Sequence, residues 1–365
     1  MKFVVATKRY ETDLRSLMRS IHIPGRIALS YQREPNYFYG ADIQGKKNLT
    51  IVGIIKNKLV GLGCISFKPM YINGSNKRFG YLSGLRSIPE VRGGRNLLAA
   101  YKYFHNIHVD NNVPAYITTI IDENEYAKSV LTSSRFGLPK YSDWGRYITY
   151  AINLNKRSRQ IQNQDDVLIM RGTDFELDEI VSFLNRNGSK RQFFPVYSKW
   201  DFISNYTRDF SQSNFYVAVK GHKIIGILGV WDQSRFKQNR IIKYHGGLGK
   251  FRKIINVVLS LSGYHTLPSP GEELKLLYTA FVCIYDDKPD ILNTLLRTIY
   301  NDYKNSKSHF LCIGLHEKDP LNIALKQFST FRYYSRLYVV NWEDGNQFCK
   351  KLDKSRVPYL ELATL

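Results

Sequence analysis

An internal repeat constrains the fold of this chain more than any other feature. The segment IVGIIKNKLVGLGCISF resembles the later segment YVAVKGHKIIGILGVWD. Lys58 and Gly61 of the first segment recur 165 positions later as Lys223 and Gly226, and the same separation relates the short segments YETD and FELD. A repeat that keeps one register over such a distance is typical of a chain built from two structurally similar halves.

Each half is predicted to pass through the same series of elements. A strand and an amphipathic helix are followed by a hairpin, a long strand, and then helix, strand, helix and final strand. The predicted elements are 3–6, 12–21, 51–67, 79–88, 94–108, 115–121, 125–134 and 146–153 in the first half, and 167–170, 177–185, 215–231, 274–284, 289–303, 310–315, 320–328 and 333–341 in the second. This order indicates an α/β (α+β) fold in which helices cover a mixed sheet.

The chain of 365 residues is too long for one typical domain and suits two. Between the halves, the segment NLNKRSRQIQNQDD is polar and has no apolar pattern, which predicts a linker. The expected organisation is therefore an N-terminal domain over residues 1–155, a linker over 156–166 and a C-terminal domain over 167–365.

The chain carries a net charge of +22 and has a sequence pI near 9.7. Such a field favours anionic partners, and the charge is densest in the stretch FKQNRIIKYHGGLGKFRKII at residues 236–255. Because charged stretches are most often solvated surface, a nucleic-acid partner is possible but not favoured.

Four scattered cysteines in or beside apolar runs predict reduced thiols. No apolar run is long enough to span a bilayer, so we expect a cytoplasmic protein without membrane contact.

The loop VRGGRN lies between a predicted strand and a predicted helix. Main-chain N–H groups at a helix N-terminus attract anions, glycines let an anion approach closely, and arginines add bidentate donors. The loop therefore suits a phosphate or diphosphate, although an ordinary turn with solvated arginines remains open at this stage. The Walker sequence and the Gly-x-Gly-x-x-Gly fingerprint are both absent.

The segment LRSIPEVRGGRNLL resembles the acetyl-CoA loop of the GNAT superfamily of N-acetyltransferases, whose pattern is V-x-P-E-x-R-G-x-G-x-G/A. Four residues fall on matching positions: Pro89, Glu90, Arg92 and Gly93. Two residues depart from the pattern, because Arg95 and Leu97 stand where small residues are expected.

A second match lies downstream in ITTIIDENEYAKSVLTSSRFGLPKY. The family often has N-x-x-A after the next strand, and Asn124 and Ala127 supply it here. The family also closes the following helix with Gly-Phe, where this chain has Arg135 and Phe136. Asn is in addition a preferred helix N-cap residue, and both interpretations of Asn124 can hold.

The resemblance implies two tandem acyl-CoA N-acyltransferase-like domains, each a mixed, mostly antiparallel twisted sheet flanked by helices. It implies acetyl-CoA as the acyl donor and a small-molecule or peptide amine as the acceptor, which attacks directly in a ternary complex. The residues expected at the donor are Arg86, Ser87, Ile88, Arg92, Gly93, Gly94, Arg95, Asn96, Leu97 and Asn124. Amides from Arg86 to Ile88 are expected beside the thioester and pantetheine, and the VRGGRN loop at the diphosphate.

Acyl transfer to an amine needs a route for the amine proton. Candidate groups for this step are Glu34, Tyr81 and Asp122, with Glu123 beside the last. The tyrosine acid that many family members carry is replaced here by Leu131, so Ser129, Thr132 or water would have to serve in its place. The histidines show no metal-ligand spacing, and no metal is expected.

The second half differs from the first at the corresponding loop. Where the first half has Arg92 to Arg95, the second has IYDDKPDILNTLL, with Asp286, Asp287 and Asp290 at the start of the helix. These carboxylates would repel a diphosphate. We therefore expect that the second half has lost donor binding and serves as structural support and as one wall of the acceptor pocket.

Two other functions remain open on the sequence. The first is a tandem-fold transferase of the Fem type, which uses aminoacyl-tRNA and would suit the basic charge. The second is a non-catalytic module that binds acyl-CoA without turnover. Salt-dependent retention of tRNA would favour the first, and CoA binding without activity would favour the second.

Overall fold

The structure is a computed structural model that describes residues 1–23, 25–133, 137–155 and 167–365. The linker predicted at 156–166 and the pair Arg135–Phe136 of the second sequence motif lie outside the described residues. The domain boundaries therefore stay a prediction.

The first half begins with a strand and a helix that follow the predicted order closely. Its strands are β1 (Lys2–Val5), β2 (His22–Ile23), β3 (Ile27–Gln32), β4 (Lys47–Ile55), β5 (Lys58–Ile72), β6 (Ser75–Ser87), β7 (Tyr116–Ile121) and β8 (Lys140–Asn153). Its α-helices are α1 (Glu11–Ser20), α2 (Tyr37–Asp42), α3 (Gly94–Asn111) and α4 (Glu125–Leu131).

The second half repeats the predicted order, but within residues 167–365 no strand or α-helix corresponds to β2, β3 and α2, and one strand and two helices are inserted before its long strand. Its strands are β9 (Leu168–Arg171), β10 (Phe215–Lys220), β11 (Lys223–Asp232), β12 (Gln238–Tyr244), β13 (Leu276–Ile284), β14 (Phe310–His316) and β15 (Thr330–Asn341). Its α-helices are α5 (Leu177–Gly188), α6 (Gly247–Lys250), α7 (Arg252–Leu261), α8 (Pro289–Tyr303) and α9 (Asn346–Lys350).

Twelve strands form one continuous sheet in the order β1-β4-β5-β6-β7-β15-β8-β14-β13-β11-β10-β9. The pairs β6–β7 and β13–β14 are parallel, and the other pairs described in this sheet are antiparallel. The final strands of the two halves are exchanged: β15 of the second half pairs with β7 of the first, and β8 of the first half pairs with β14 of the second. The halves therefore share a hydrogen-bonded sheet.

Helices cover both faces of the first half because β4 and β5 are apolar on both sides. Val52, Leu62 and Cys64 pack with α1 and α2 on one face, whereas the neighbouring residues Ile51 and Ile65 pack with α3 on the other. Successive side chains of a strand point to opposite faces, so two apolar layers on one strand need two covering layers. In the second half α5 and α8 cover β10, β11 and β13 in the same way.

A second, three-stranded sheet in the order β12-β3-β2 also joins the halves. In this sheet Tyr31 of β3 stands opposite Asn239 of β12.

The predicted mixed sheet flanked by helices is confirmed. Several elements were not predicted: β2, β3, β12, α2, α6, α7 and α9. The helix predicted at 320–328 is a 3-10 helix over Pro320–Gln327, which begins at the cap Asp319. Within the described residues, no helix combines the length and apolarity that a membrane crossing needs.

Candidate functional site

A bulge in β6 opens the sheet beside the strand that follows it. Opposite β5, the register shifts between Ser83 and Arg86, and Gly84 adopts a positive φ of 65° that favours glycine. The parallel ladder with β7 ends at the pair Tyr81–Ile117, although both strands continue beyond it. The bulge in β6 therefore lies where its hydrogen bonds with β7 end. Main-chain groups of β6 at this point face the gap between the two strands.

The loop after β6 carries a row of unused main-chain donors. A short 3-10 helix over Pro89–Val91 precedes α3, which begins at Gly94 as the sequence predicts. The Arg92 N–H donates to Pro89 O and the Leu97 N–H to Gly93 O, so these two expected donors are occupied. The N–H groups between them have no acceptor among the described residues: Gly93, Gly94, Arg95 and Asn96.

Solvent reaches these donors directly. Residues 92 to 95 are exposed, and a Cβ built at Gly93 would meet no atom within 4 Å. The Asn96 side chain is used within the loop, where its amide donates to Val91 O at 2.8 Å. The geometry is that of an open helix N-terminus flanked by Arg92 and Arg95, which suits a phosphate or diphosphate.

The other residues expected at the donor divide into two groups. Asn124 caps α4, because its side-chain oxygen accepts from the Ala127 N–H at 3.1 Å. Ile88 donates its N–H to Val60 O at 3.0 Å, which takes this amide away from any ligand. Arg86 and Ser87 remain at the end of β6, next to the bulge.

The second half has the same bulge, and its donors are filled by protein. The register of β13 against β11 shifts at Phe281, whose φ is 57°. The Phe281 N–H donates to the carboxylate of Glu361 at 2.8 Å, and the Val282 N–H donates to the Tyr359 hydroxyl at 3.2 Å. The Tyr359 hydroxyl also donates to Glu361. The C-terminal segment thus occupies the main-chain donors at the bulge of the second half.

The loop before α8 is likewise occupied. Arg191 is 4% exposed and forms ion pairs with Asp287 before α8 and with Asp319 before the following 3-10 helix. Lys190 pairs with Asp286 at 3.2 Å. Two of the three acidic residues that the sequence singled out, Asp286 and Asp287, therefore bind cations of the protein itself.

The three catalytic candidates lie in different surroundings. Burial favours the neutral form of Glu34, but hydrogen bonds from Arg15 and Arg19 outweigh it and hold the pKa of Glu34 below its usual value. Asp122 pairs with Arg146 at 3.0 Å. Tyr81 is 5% exposed on β6, and burial raises its pKa well above the usual value. The structure does not bring the three together.

A buried polar cluster beside Tyr81 was not predicted. Lys68 of β5 donates to Thr364 Oγ1 at 3.3 Å, and it lines a small cavity with Tyr81 and Glu361. Burial lowers the pKa of Lys68 to about 8, although the nearby Glu361 opposes this shift. Burial also raises the pKa of Glu361. Glu361 lies far along the chain from β5, so no local sequence pattern could have revealed this cluster.

Three cations surround Tyr31 on the α1 side of the sheet. The guanidinium carbons of Arg33 and Arg86 lie 6.0 and 5.4 Å from the Tyr31 ring centroid, and Lys237 Nζ lies 5.7 Å from it. Burial disfavours ionisation of Tyr31, but Lys237, Arg33 and Arg86 outweigh it and lower the pKa of its hydroxyl. We call Arg33, Arg86 and Lys237 the cationic cluster.

The described residues contain no group of three or more His, Cys, Asp or Glu side chains placed to hold a metal ion. Cys64, Cys283, Cys312 and Cys349 are free thiols, of which the first three are buried. The reduced cysteines expected from the sequence therefore agree with the structure.

No family model and no curated protein sequence matches the chain. Its fold does match solved structures. N-myristoyltransferase of Saccharomyces cerevisiae, crystallised with bound myristoyl-CoA, superposes with a TM-score of 0.62 at 11% identity. The superposition covers 98% of this chain and 85% of the yeast chain. A GCN5-related glucosamine N-acetyltransferase region of a fungal multi-domain β-N-acetylglucosaminidase superposes with a TM-score of 0.60 at 11% identity, covering 93% of this chain and 38% of that one.

Both similarities extend over nearly the whole chain at identities that establish the fold alone. They agree with the mixed sheet flanked by helices that this chain forms. The chain therefore has the fold of the GNAT superfamily of acyltransferases, built as two tandem copies.

Proposed function

We propose that this protein is an N-acyltransferase whose first half takes an acyl group from acyl-CoA and passes it to an amine. The observation that carries the proposal is the contrast between the halves. The helix start of the first half presents unused donors from Gly93 to Asn96, whereas in the second half protein groups occupy the bulge and the loop before the corresponding helix. The proteins of similar fold include one crystallised with myristoyl-CoA, which supports an acyl-CoA donor.

The chain's own groups suit this chemistry. In the reaction the amine nitrogen forms a bond to the thioester carbonyl carbon, the C–S bond breaks, and the proton of the amine passes to the CoA thiolate directly or through water. The N–H groups at the Gly84 bulge are proposed to polarise the carbonyl, and the loop from Arg92 to Asn96 to hold the diphosphate. Asn124 and the end of β6 at Arg86 and Ser87 would flank the pantetheine.

The proton route remains the least constrained step. Glu34 and Asp122 are engaged in ion pairs, which weakens each of them as a base. Tyr81 is neutral in its buried position and is retained as a candidate donor to the thiolate. We propose acetyl as the acyl group and the reducing cytoplasm as the compartment; the free thiols support the latter.

Ligand-induced stabilisation tests the donor site. Thermal denaturation is measured with and without acetyl-CoA, and separately with myristoyl-CoA, for the wild type, for Arg92→Glu and for Lys288→Glu. Lys288 is the matched control, because it is an exposed cation at the N-cap of α8 in the second half. Saturating ligand at about 100 times Kd stabilises by about 2.7 kcal/mol.

The expected result is a rise in the midpoint for the wild type and for Lys288→Glu that Arg92→Glu loses. The acyl-CoA that gives the larger rise identifies the acyl length. Absence of any rise at millimolar ligand would refute the proposal. Stabilisation without CoA release across a broad panel of amines would instead identify the non-catalytic acyl-CoA-binding module.

A further inference from the structure

We infer that the acceptor amine carries an anionic group, which the cationic cluster of Arg33, Arg86 and Lys237 binds. This inference rests on the proposed function, since it concerns the acceptor of the same site. Its basis is buried positive charge at Arg33 and Arg86, for which the described residues provide no carboxylate within ion-pair distance. Arg33 and Lys237 are 4% and 5% exposed, and Arg86 is partly buried.

Several donor atoms of the cationic cluster are unused. Nε and Nη1 of Arg33 and Nη1 of Arg86 are buried and have no hydrogen-bond partner among the described residues. None of the three cations forms an ion pair with an Asp or Glu side chain in the described part of the chain. Lys237 differs from the two arginines, because its Nζ donates to Ala363 O at 3.3 Å and to an oxygen of Leu365, the last residue of the sequence, at 3.0 Å. Buried charges without counterions are costly, so the arrangement indicates a missing anionic partner.

The position of the cluster assigns this partner to the acceptor. Arg86 follows the Gly84 bulge by two residues, and it packs on Tyr31 on the α1 side of the sheet. Leu85 points to the opposite face, where it approaches Gly63 beside Phe104 of α3. The diphosphate loop opens α3 and therefore belongs to that opposite face. An anion at the cluster would lie near the reacting carbonyl but away from the diphosphate.

The chemistry of the cluster defines the substrate class. Guanidinium groups bind carboxylates and phosphates through paired N–H donors. The acceptor is therefore an amine with a carboxylate or a phosphate a few bonds from its nitrogen, as in an amino acid or an aminoalkyl phosphate.

Binding of simple oxyanions tests the inference without knowledge of the acceptor. The probes are acetate, inorganic phosphate and the neutral acetamide, and the background is Arg92→Glu, which removes competition from the diphosphate loop. The variants are Arg86→Met and Lys237→Met. The matched control is Arg332→Met, because Arg332 also stacks on a tyrosine at 5.4 Å but is exposed on β15.

We expect acetate or phosphate, but not acetamide, to raise the thermal midpoint, and the probe with the greater effect distinguishes a carboxylate from a phosphate acceptor. Each of the two cluster substitutions should weaken that binding at least tenfold, while Arg332→Met leaves it unchanged. The inference would be overturned if neither oxyanion raised the midpoint. It would also be overturned if both cluster variants responded as strongly as the Arg92→Glu background without a cluster substitution. Because acetyl-CoA stabilisation is measured separately on the wild type, failure here is distinguishable from failure of the proposed function.

A different observation supports a second inference, which concerns the surface of α7. Four apolar side chains, each more than half exposed, form one stripe that begins at the N-cap of this helix: Phe251, Ile254, Val257 and Val258. Residues spaced by three and four positions share one face of a helix. The other face, which includes Ile255 and Leu259, is partly buried against the protein. The apolar stripe therefore has no covering element among the described residues.

We propose that the α7 stripe docks on an anionic lipid surface. The exposed cations Lys250 and Lys253 stand next to Phe251 and Ile254 in the chain and form no ion pair in the described part of the chain. An amphipathic helix with apolar residues on one side and cations beside them is typical of an interfacial helix. A second copy of this chain is disfavoured as the occupant, because each copy carries a net charge of +22. This proposal departs from the expectation of no membrane contact.

Vesicle co-sedimentation tests the lipid proposal. Vesicles of phosphatidylcholine are compared with vesicles that also contain phosphatidylglycerol, using the wild type, Ile254→Glu/Val258→Glu and the control Ile323→Glu. Ile323 is an exposed isoleucine on a different helix. We expect binding to the anionic vesicles that falls at least tenfold in the double variant only. Absence of binding, equal binding by the double variant, or dimers that the double variant abolishes would each overturn the proposal.

Discussion

The buried ion pairs of Arg191 permit a quantitative test of how much they stabilise the loops before α8 and before the following 3-10 helix. Arg191 and Asp319 have side-chain exposures of 5% and 1%, and Asp287 on the other side of Arg191 has 30%. Removal of one partner from a buried pair leaves an uncompensated charge and costs about 3–5 kcal/mol. The substitution Arg191→Met is therefore expected to lower the free energy of unfolding by this amount.

The corresponding change in melting temperature follows from the size of the chain. An unfolding entropy of about 2.1 cal/mol/K per residue gives about 0.8 kcal/mol/K for 365 residues. If the shared sheet unfolds as one unit, Arg191→Met lowers the midpoint by about 4–6 °C. Circular dichroism during heating, together with urea denaturation, measures both quantities.

A second substitution separates the charge effect from lost packing. Asp319 also accepts from the Leu321 N–H at 3.0 Å, a cap that Asn can provide as well. The double variant Arg191→Met/Asp319→Asn removes both buried charges and should be more stable than Arg191→Met alone. A loss below about 1 kcal/mol for Arg191→Met, or no recovery in the double variant, would refute the reasoning.

Further predictions concern backbone conformation, packing and pH. Gly84→Val, at a φ of 65°, should cost about 1–3 kcal/mol through strain and reduce acyl transfer more than acetyl-CoA binding; single-turnover assays and ligand titration measure these effects. Gly314→Ala would place a Cβ 2.0 Å from the Tyr147 hydroxyl and should cost about 1–3 kcal/mol in urea denaturation. Burial lowers the pKa of His309 to about 4, and its Nδ1 accepts from the Lys275 N–H. The stability from neutral His309 is present above its ordinary pKa near 6.5 and is lost as the pH falls towards 4, so His309→Gln should flatten the denaturation profile in that interval.

Local patterns predicted the elements on either side of the loop VRGGRN. The start of α3 at Gly94 and the cap at Asn124 follow from glycine, arginine and asparagine placed between apolar runs. The strand β3 escaped prediction for a physical reason. Its buried positions are Ala28, Ser30 and Gln32, whereas the larger apolar side chains between them are only partly buried, so burial follows the small and polar residues rather than the apolar ones.

The candidate site was only partly accessible from the sequence, because its groups meet through pairing across the halves. Lys237 reaches Tyr31 by way of the β3–β12 pair, and Glu361 reaches the bulge of β13 from the end of the chain. Neither contact produces a pattern among residues that are close in sequence, so local sequence patterns could not predict it. The helix α7 shows the opposite case, since its amphipathic pattern was visible in a segment that was interpreted only as basic surface.

The exchange of β8 and β15 has a consequence for biosynthesis. While a ribosome makes the chain from its N-terminus, β7 and β8 emerge long before their common partner, because β15 begins at Thr330. Until β15 is made, the edges of β7 and β8 that pair with it in the folded protein stay unpaired. Unpaired strand edges promote aggregation. A gene split between residues 155 and 167 should accordingly yield two fragments that are insoluble when made separately and that assemble when made together.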